Sequence, residues 1–234
     1  MKAKLLIFTP VAFAGLVALI AFSVASKNPQ PPKKEPSRDR LKWHIAQAKK
    51  EGRQRVVIST GMSTYVGGEN ASVDTALADY TVVVAKPIAK RTYQRDDNNL
   101  RTWYTFQILD ALTEFKHPAC SGCFTLTTPS DLLPLNSDEL LIPRDGGTLT
   151  LDGIEIEQTE TGFPEFENNQ RYLLFLSVYP NRVALTAGGP IGVFVIGNDE
   201  RLTSLNKNTD TIQAGMKERF DNSLSLVKRQ LKHL

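Results

Sequence analysis

The chain has 234 residues, of which 41% are hydrophobic and 23% are charged, and its formal net charge is +3. These values are ordinary for a globular protein, so they exclude wholesale disorder, and we expect one domain with appendages. The basic residues form no dense cluster, which argues against a nucleic-acid-binding surface.

Residues 1–26 are predicted to be an export signal or a transmembrane anchor. Two lysines precede an apolar run from Leu5 to about Ala25, and its length is close to the roughly 20 residues that cross a bilayer. Ser23-Val24-Ala25 offers small residues for cleavage, so the sequence leaves processing open. The domain that follows is expected to be extracytoplasmic, either tethered to the membrane through this segment or secreted.

Residues 27–40 are rich in proline and lysine and are predicted to form an extended linker. Their five basic residues oppose the expected orientation, because the positive-inside rule favours a cytoplasmic location for them. Residues 41–54 are predicted to form a stalk helix with an apolar face of Leu41, Ile45 and Ala48. This helix either stands as a stalk or docks on the domain as a flap, and partner binding is a further alternative.

Short strands dominate residues 55–205. They are interrupted by a predicted helix of one or two turns that Ser72 caps and that runs through Ala78. A turn at 91–99 joins two of the strands into a long antiparallel hairpin, and Pro87 within it predicts an edge or a bulge. The segment 129–147 contains three prolines and is predicted to be a loop. The predicted strands are Arg55–Ser59, Tyr80–Ala89, Arg101–Leu112, Cys123–Thr128, Arg171–Ser177 and Gly188–Ile196.

Residues Thr148–Gln158 give the strongest local signal, because Asp152-Gly153 is a preferred pair for a two-residue type I′ turn. Pairing Leu151 with Ile154 and Leu149 with Ile156 places four apolar side chains on one face. The strands Arg171–Ser177 and Gly188–Ile196 lack polar alternation, which indicates that protein covers both faces. Apolar residues at helical spacing within 206–234 predict an amphipathic C-terminal helix that covers those two strands.

The motifs of common enzymes are absent from the sequence. Histidine is the usual acid or base near neutral pH, and of the three histidines only His117 lies where a site could form. There is no nucleophile elbow, no phosphate-binding glycine loop and no His-Glu-x-x-His. We therefore predict no catalytic residue and no cofactor.

One constellation with chemical potential is formed by His117, Cys120 and Cys123. The two cysteines are predicted to form a disulfide, which an exported location favours. Zinc ligation together with His117 is an alternative, although a closed site needs a fourth ligand. Redox catalysis and unpaired thiols are the remaining alternatives.

Two further groups of residues have a functional and a structural interpretation. Five glutamates could hold calcium or act in glycoside hydrolysis, but exposed hairpin carboxylates more often serve solubility. Four aromatic residues could line a ligand face, but core packing is the more common role. The glutamates are Glu155, Glu157, Glu160, Glu165 and Glu167, and the aromatic residues are Trp103, Tyr104, Phe106 and Tyr172.

Four segments together resemble the netrin-like domains, OB-type barrels shared by tissue inhibitors of metalloproteinases and many bacterial exported proteins. They are Thr81–Lys86, Tyr104–Leu109, Arg171–Leu176 and Gly192–Ile196, and the likeness covers roughly residues 72–205. The resemblance implies a mainly β fold, an OB-like antiparallel β-barrel with a helical cap. The inhibitors act through an N-terminal cysteine, and no cysteine here lies near a cleavage site, so that activity is not implied.

The sequence thus favours a non-catalytic extracytoplasmic domain that binds a protein partner or serves as an envelope scaffold. The alternative is a thiol or metal-dependent enzyme that uses His117, Cys120 and Cys123. Binding of single-stranded nucleic acid conflicts with export and with the lack of a basic aromatic groove.

Overall fold

The structure is a computed structural model that describes residues 41–61, 72–96, 98–118, 127–206 and 211–232. The predicted membrane segment, the linker and most of the predicted strand Cys123–Thr128 lie outside these ranges. None of the helices in the described ranges is long and apolar enough to cross a membrane. The described residues belong to one compact unit.

Within the described ranges the unit is mainly β, as the sequence predicted. The helices are α1 (Leu41–Lys50), α2 (Val73–Asp79), α3 (Thr211–Phe220) and α4 (Leu224–Leu231), and 3₁₀ turns lie at Ser130–Leu132 and Gly189–Gly192. The strands are β1 (Arg55–Thr60), β2 (Thr81–Gln94), β3 (Leu100–Ala111), β4 (Glu139–Asp145), β5 (Gly147–Leu151), β6 (Ile154–Glu160), β7 (Tyr172–Val178), β8 (Ala184–Thr186), β9 (Val193–Ile196) and β10 (Leu202–Ser204).

The larger sheet is antiparallel and has the strand order β10-β9-β7-β2-β3-β4, with β8 also paired to β7. It differs from the expected closed barrel, because its ladder ends at β4 and β10 instead of forming a ring. A single bridge between Leu141 and Val183 links β4 to the residues before β8. The short β8 forms its ladder with β7, and β4 has no ladder with β8 although the two strands lie close together.

The long β2–β3 hairpin is confirmed, although its turn is tighter than predicted because β2 continues to Gln94. The bulge expected near Pro87 is also present. Pro87 pairs with Phe106 and Ala89 pairs with Thr105, so Ile88 has no partner residue on β3. A proline removes one ladder donor, which is tolerated where a strand is bulged.

Strand β4 was predicted to be part of a proline-containing loop, and that prediction was wrong. Leu140 and Ile142 are fully buried and pair with Phe106 and Tyr104. These four side chains lie on one face of the larger sheet, which we call the inner face. Pro143 fits because β4 lies at the end of the sheet and pairs by ladder with β3 alone.

The two faces of the larger sheet bury separate apolar clusters, which explains the lack of polar alternation in β7. Leu173 and Phe175 point to the outer cluster, whereas Tyr172, Leu174 and Leu176 point to the inner one. The predicted strand Gly188–Ile196 is shorter than expected. Its first part is a 3₁₀ turn in which a Cβ on Gly192 would lie 2.8 Å from the Ala187 carbonyl oxygen.

The outer cluster is covered by the C-terminal segment, as its periodicity predicted, but by two helices and not by one. Asp221 and Asn222 have φ angles of 48° and 51° and end α3. Leu224 N then donates to Glu200 O at 3.0 Å, which ties the start of α4 to the turn between β9 and β10. The residues of α3 and α4 that are buried in this cluster are Ile212, Met216, Phe220, Leu224 and Val227.

The smaller sheet has the order β1-β6-β5 and supports α1. The predicted hairpin is confirmed in register, since Leu149 pairs with Ile156 and Leu151 with Ile154. Asp152 and Gly153 both have positive φ, as a type I′ turn requires. The helix docks as a flap instead of standing free, and its buried residues are the predicted Leu41, Ile45 and Ala48.

Candidate functional site

His117 is positioned by backbone contacts between its segment and the end of β7. Val178 N donates to Lys116 O at 3.3 Å, and His117 Nδ1 lies 2.7 Å from Val178 O. Because a carbonyl oxygen only accepts, Nδ1 carries the proton in the neutral ring and Nε2 keeps its lone pair. Cys120 and Cys123 lie outside the described residues, so the disulfide and metal-site predictions remain predictions.

The five glutamates do not converge on one site. Glu155 and Glu157 pair with Arg55, and Glu165 pairs with Lys90 at 2.8 Å. Glu160 is buried on the opposite face of β6 from Glu155 and Glu157. No group of three or more potential metal-ligating side chains occurs in the described part of the chain.

The four aromatic residues are core residues and form no ligand-binding face. Tyr104, Phe106 and Tyr172 lie in the inner cluster, in contact with Phe166. Trp103 packs with Leu141 and Val183 on the outer side of the sheet. This outcome agrees with the structural interpretation of these residues.

Two buried polar side chains on the inner face retain unpaired atoms. Arg144 donates from Nε and Nη2 to the carbonyl of Phe163, while its Nη1 has no hydrogen-bond partner in the described ranges. The hydroxyl of Tyr104 makes no hydrogen bond of normal geometry there, and its interaction with the backbone of Phe166 is weak. Burial, and next the charge of Glu165, raises the pKa of this phenol. Both atoms are sealed from solvent, so this pair does not form an accessible site.

The feature open to a partner is the free edge of β1. This six-residue strand pairs in parallel with β6 along one side, and no strand in the described ranges lies along its other side. Val57 is 62% exposed, the largest exposed fraction among the large hydrophobic side chains described. An unpaired strand edge with an apolar side chain is a template for another strand.

The hydrogen bonds to β6 show which backbone groups of β1 face outward. Glu155 N donates to Gln54 O at 2.9 Å, and Thr161 N donates to Thr60 O at 3.2 Å. In a parallel ladder alternate residues of a strand bond to the same neighbour. The even-numbered residues therefore face β6, and Arg55, Val57 and Ser59 turn their N–H and C=O groups toward the free edge.

The positive charge of Arg55 at this edge is paired within the chain. Arg55 Nε lies 3.1 Å from Glu155 Oε1, and the guanidinium also pairs with Glu157. The hydrogen bond to Glu157 is the main cause of a raised pKa for Arg55. On the exposed face, a partner strand would therefore lie beside the side chains of Arg55, whose charge is already paired, Val57 and Ser59.

The sequence predicted β1 but not its open edge or its parallel pairing with β6, which lies about 100 residues away. One signal was present: Val56, Val57 and Ile58 are consecutive apolar residues. Because strand side chains alternate, one of the three had to point away from the core. Which edge of the strand stays unpaired is not encoded locally.

The chain matches no protein-family model, and searches among curated proteins and among solved structures return no significant match.

Proposed function

We propose that this chain is a non-catalytic, extracytoplasmic β domain that binds another polypeptide by adding a strand to the free edge of β1. Its N-terminal apolar run either tethers the domain to the membrane or directs its secretion. A role as an envelope scaffold follows if the bound strand belongs to a fixed envelope component. Binding by strand addition draws affinity from main-chain hydrogen bonds and needs no catalytic group.

The larger sheet is, in this proposal, a partly open OB-type barrel of the netrin-like kind. The inner cluster supports this, because its side chains come from β2, β3, β4, β7 and β8 around a common interior. The bridge between Leu141 and Val183 brings β4 toward β8. OB folds are partly open five-stranded barrels, so an incomplete ladder is compatible with the proposal.

The observation that carries the binding proposal is the open edge of β1 with Val57 exposed. Natural β proteins protect such edges with charges, prolines, bulges or covering segments. Among Arg55, Val57 and Ser59 the one charge is already paired, and the strand has neither proline nor bulge. An edge of this kind is therefore better suited to pairing than to exposure.

Site-specific photo-cross-linking in cells that produce the full chain tests this proposal. A photoreactive amino acid at Ser59, on the exposed face, is expected to trap a polypeptide. The same group at Leu133, 43% exposed and away from β1, is the control. Val57→Pro is expected to abolish the Ser59 product by removing the outward N–H, whereas Val57→Thr, which keeps it, preserves the product. Absence of a product at Ser59, or a product that Val57→Pro leaves unchanged, would contradict the proposal.

A second candidate is a thiol or metal-dependent enzyme that uses His117, Cys120 and Cys123. The specific support is the Nδ1 contact of His117 with Val178 O, since metal-binding histidines commonly donate their other ring N–H to a carbonyl. Elemental analysis and thiol titration of the purified full chain test it. A stoichiometric metal or two reactive thiols would favour this candidate, and a metal-free protein with a stable disulfide would end it.

A further inference from the structure

We propose that the polypeptide added to the edge of β1 is the β1 strand of a second copy of this chain, related by a two-fold axis at Val57. This inference rests on the proposed function, because it names the partner of the same edge.

The outward backbone groups of β1 match a copy of themselves. In an antiparallel ladder, a narrow pair of residues exchanges both N–H···O bonds. The outward residues Arg55, Val57 and Ser59 are spaced two apart, so one register pairs Val57 with its counterpart and Arg55 with Ser59 at both ends. All six outward N–H groups of the two strands are then bonded.

The side chains on both faces of the strand are also self-complementary. On the exposed face the two Val57 side chains lie opposite one another. Each shields apolar surface of the other that is exposed to water in the single chain. On the other face Val56 lies opposite Ile58 of the second copy, and both side chains belong to the apolar cluster under α1. Apolar cross-strand pairs of this kind stabilise a sheet.

The charges favour the same register. Arg55 faces a serine hydroxyl and keeps its carboxylate partners, Glu155 and Glu157, within its own chain. The two arginines lie four residues apart along the ladder, about 14 Å, which exceeds the Debye length of about 8 Å at physiological salt. No like charges therefore meet at the junction, and no charge loses its partner.

The product would be one sheet with the order β5-β6-β1 followed by β1-β6-β5 of the second copy. A single pair of six-residue strands buries less than the roughly 1,600 Å² of a standard stable interface. We therefore expect a reversible dimer with a dissociation constant of about micromolar or weaker.

Sedimentation velocity of the purified full chain, in mild detergent because of its apolar N-terminal run, tests the inference. Wild type is expected to show a monomer–dimer equilibrium at protein concentrations between about 1 μM and about 1 mM. Val57→Pro removes one N–H from each strand and should weaken association about tenfold or more. Val57→Thr keeps the backbone hydrogen bonds and should change the dissociation constant of the dimer by less than about threefold. Association through the N-terminal run would be common to all variants.

Val57→Lys is a second variant in case proline disturbs folding, which circular dichroism checks. It keeps the ladder with β6 but places two like charges face to face, so it should also give monomers. A monomeric wild type, or a dimer that neither Val57→Pro nor Val57→Lys weakens, would overturn the inference. If the cross-linked product at Ser59 is instead a different protein, the second-copy inference fails while strand addition at β1 stands.

Discussion

Tyr104 and Tyr172 are both fully buried in the inner cluster, yet their hydroxyl groups differ in what they contact. Tyr172 Oη accepts a hydrogen bond from Glu167 N at 2.8 Å, whereas Tyr104 Oη makes no hydrogen bond of normal geometry in the described ranges and has only a weak interaction with the backbone of Phe166. A buried hydroxyl that makes no hydrogen bond of normal geometry loses its hydration and regains little in return. We therefore expect the hydroxyl of an inward tyrosine to contribute more to stability at position 172 than at position 104.

We expect Tyr104→Phe to leave the free energy of unfolding at neutral pH unchanged or to raise it by up to about 1 kcal/mol. Tyr172→Phe is the matched control, and it should lower the free energy of unfolding by about 1 kcal/mol because Glu167 N loses its acceptor. Urea unfolding followed by circular dichroism measures both. Equal destabilisation by the two variants would contradict this account of the hydroxyl groups.

The raised pKa values of Tyr104 and Tyr172 make the free energy of unfolding depend on pH in the alkaline range. Burial raises the pKa of both Tyr104 and Tyr172 above the ordinary value, so the folded chain keeps protons that the unfolded chain releases. Their contribution is therefore complete below about pH 10, the pKa of an unfolded tyrosine, and is lost as the pH rises further. We expect Tyr104→Phe to show a smaller loss of stability than wild type between about pH 9 and about pH 11.

The β5–β6 hairpin shows how far a local signal specifies an element. Asp152 and Gly153 adopt the positive φ angles that the turn type demands, and the register follows from the two-residue loop. The break between α3 and α4 is the contrasting case. The apolar spacing continues through Phe220 and Leu224, but Leu202 N donates to Asn222 O at 2.7 Å and draws the linker onto β10.

We expect Gly153→Ala to lower the free energy of unfolding by about 1–2 kcal/mol, because φ at this position is +79° and alanine is strained there. Gly61→Ala is the matched control, since no atom of the described residues lies within 4 Å of its added Cβ and its φ is outside the left-handed region. That variant should be neutral or stabilising by up to about 1 kcal/mol. Thermal and urea unfolding distinguish the two, and similar losses at both sites would argue against a strained turn.

At the scale of the whole molecule, separate apolar clusters lie within one compact unit. Ile156 is fully buried between the smaller sheet and α1, and Met216 is fully buried between the larger sheet and α3. The clusters belong to different sheets, but the direct passage from β4 through Gly146 into β5 joins those sheets. A Cβ on Gly147 would lie 2.0 Å from Thr102 Oγ1, so the sheets are also closely packed where they meet.

We expect Ile156→Ala and Met216→Ala each to lower the free energy of unfolding by about 2–4 kcal/mol, because each leaves a cavity. If the unit is cooperative, both variants shift the same single transition in calorimetry and by fluorescence. Lys217→Ala, one position from Met216 but exposed, should change stability by less than about 0.5 kcal/mol. Two transitions that respond separately to the two variants would show independent folding of the sheets.

Much of the local structure follows from residues that are near one another in the chain. The turn at Asp152-Gly153, the cap at Ser72 and the buried stripe of Leu41, Ile45 and Ala48 were all predictable. Their causes are backbone preference, a short-range hydrogen bond and side-chain periodicity. Export and the pairing of Cys120 with Cys123 remain predictions, since these residues lie outside the described ranges.

The sequence by itself determined that this is a mainly β protein with short elements placed by turns, caps and apolar spacing. Only the tertiary structure decided that Pro143 lies in the terminal strand of an open sheet and that β1 pairs in parallel with β6. Strand pairing joins residues far apart in the chain, and its energy depends on which edges meet and not on local propensity. For that reason the free edge of β1, which carries the proposed function, appears only once the strands have been placed.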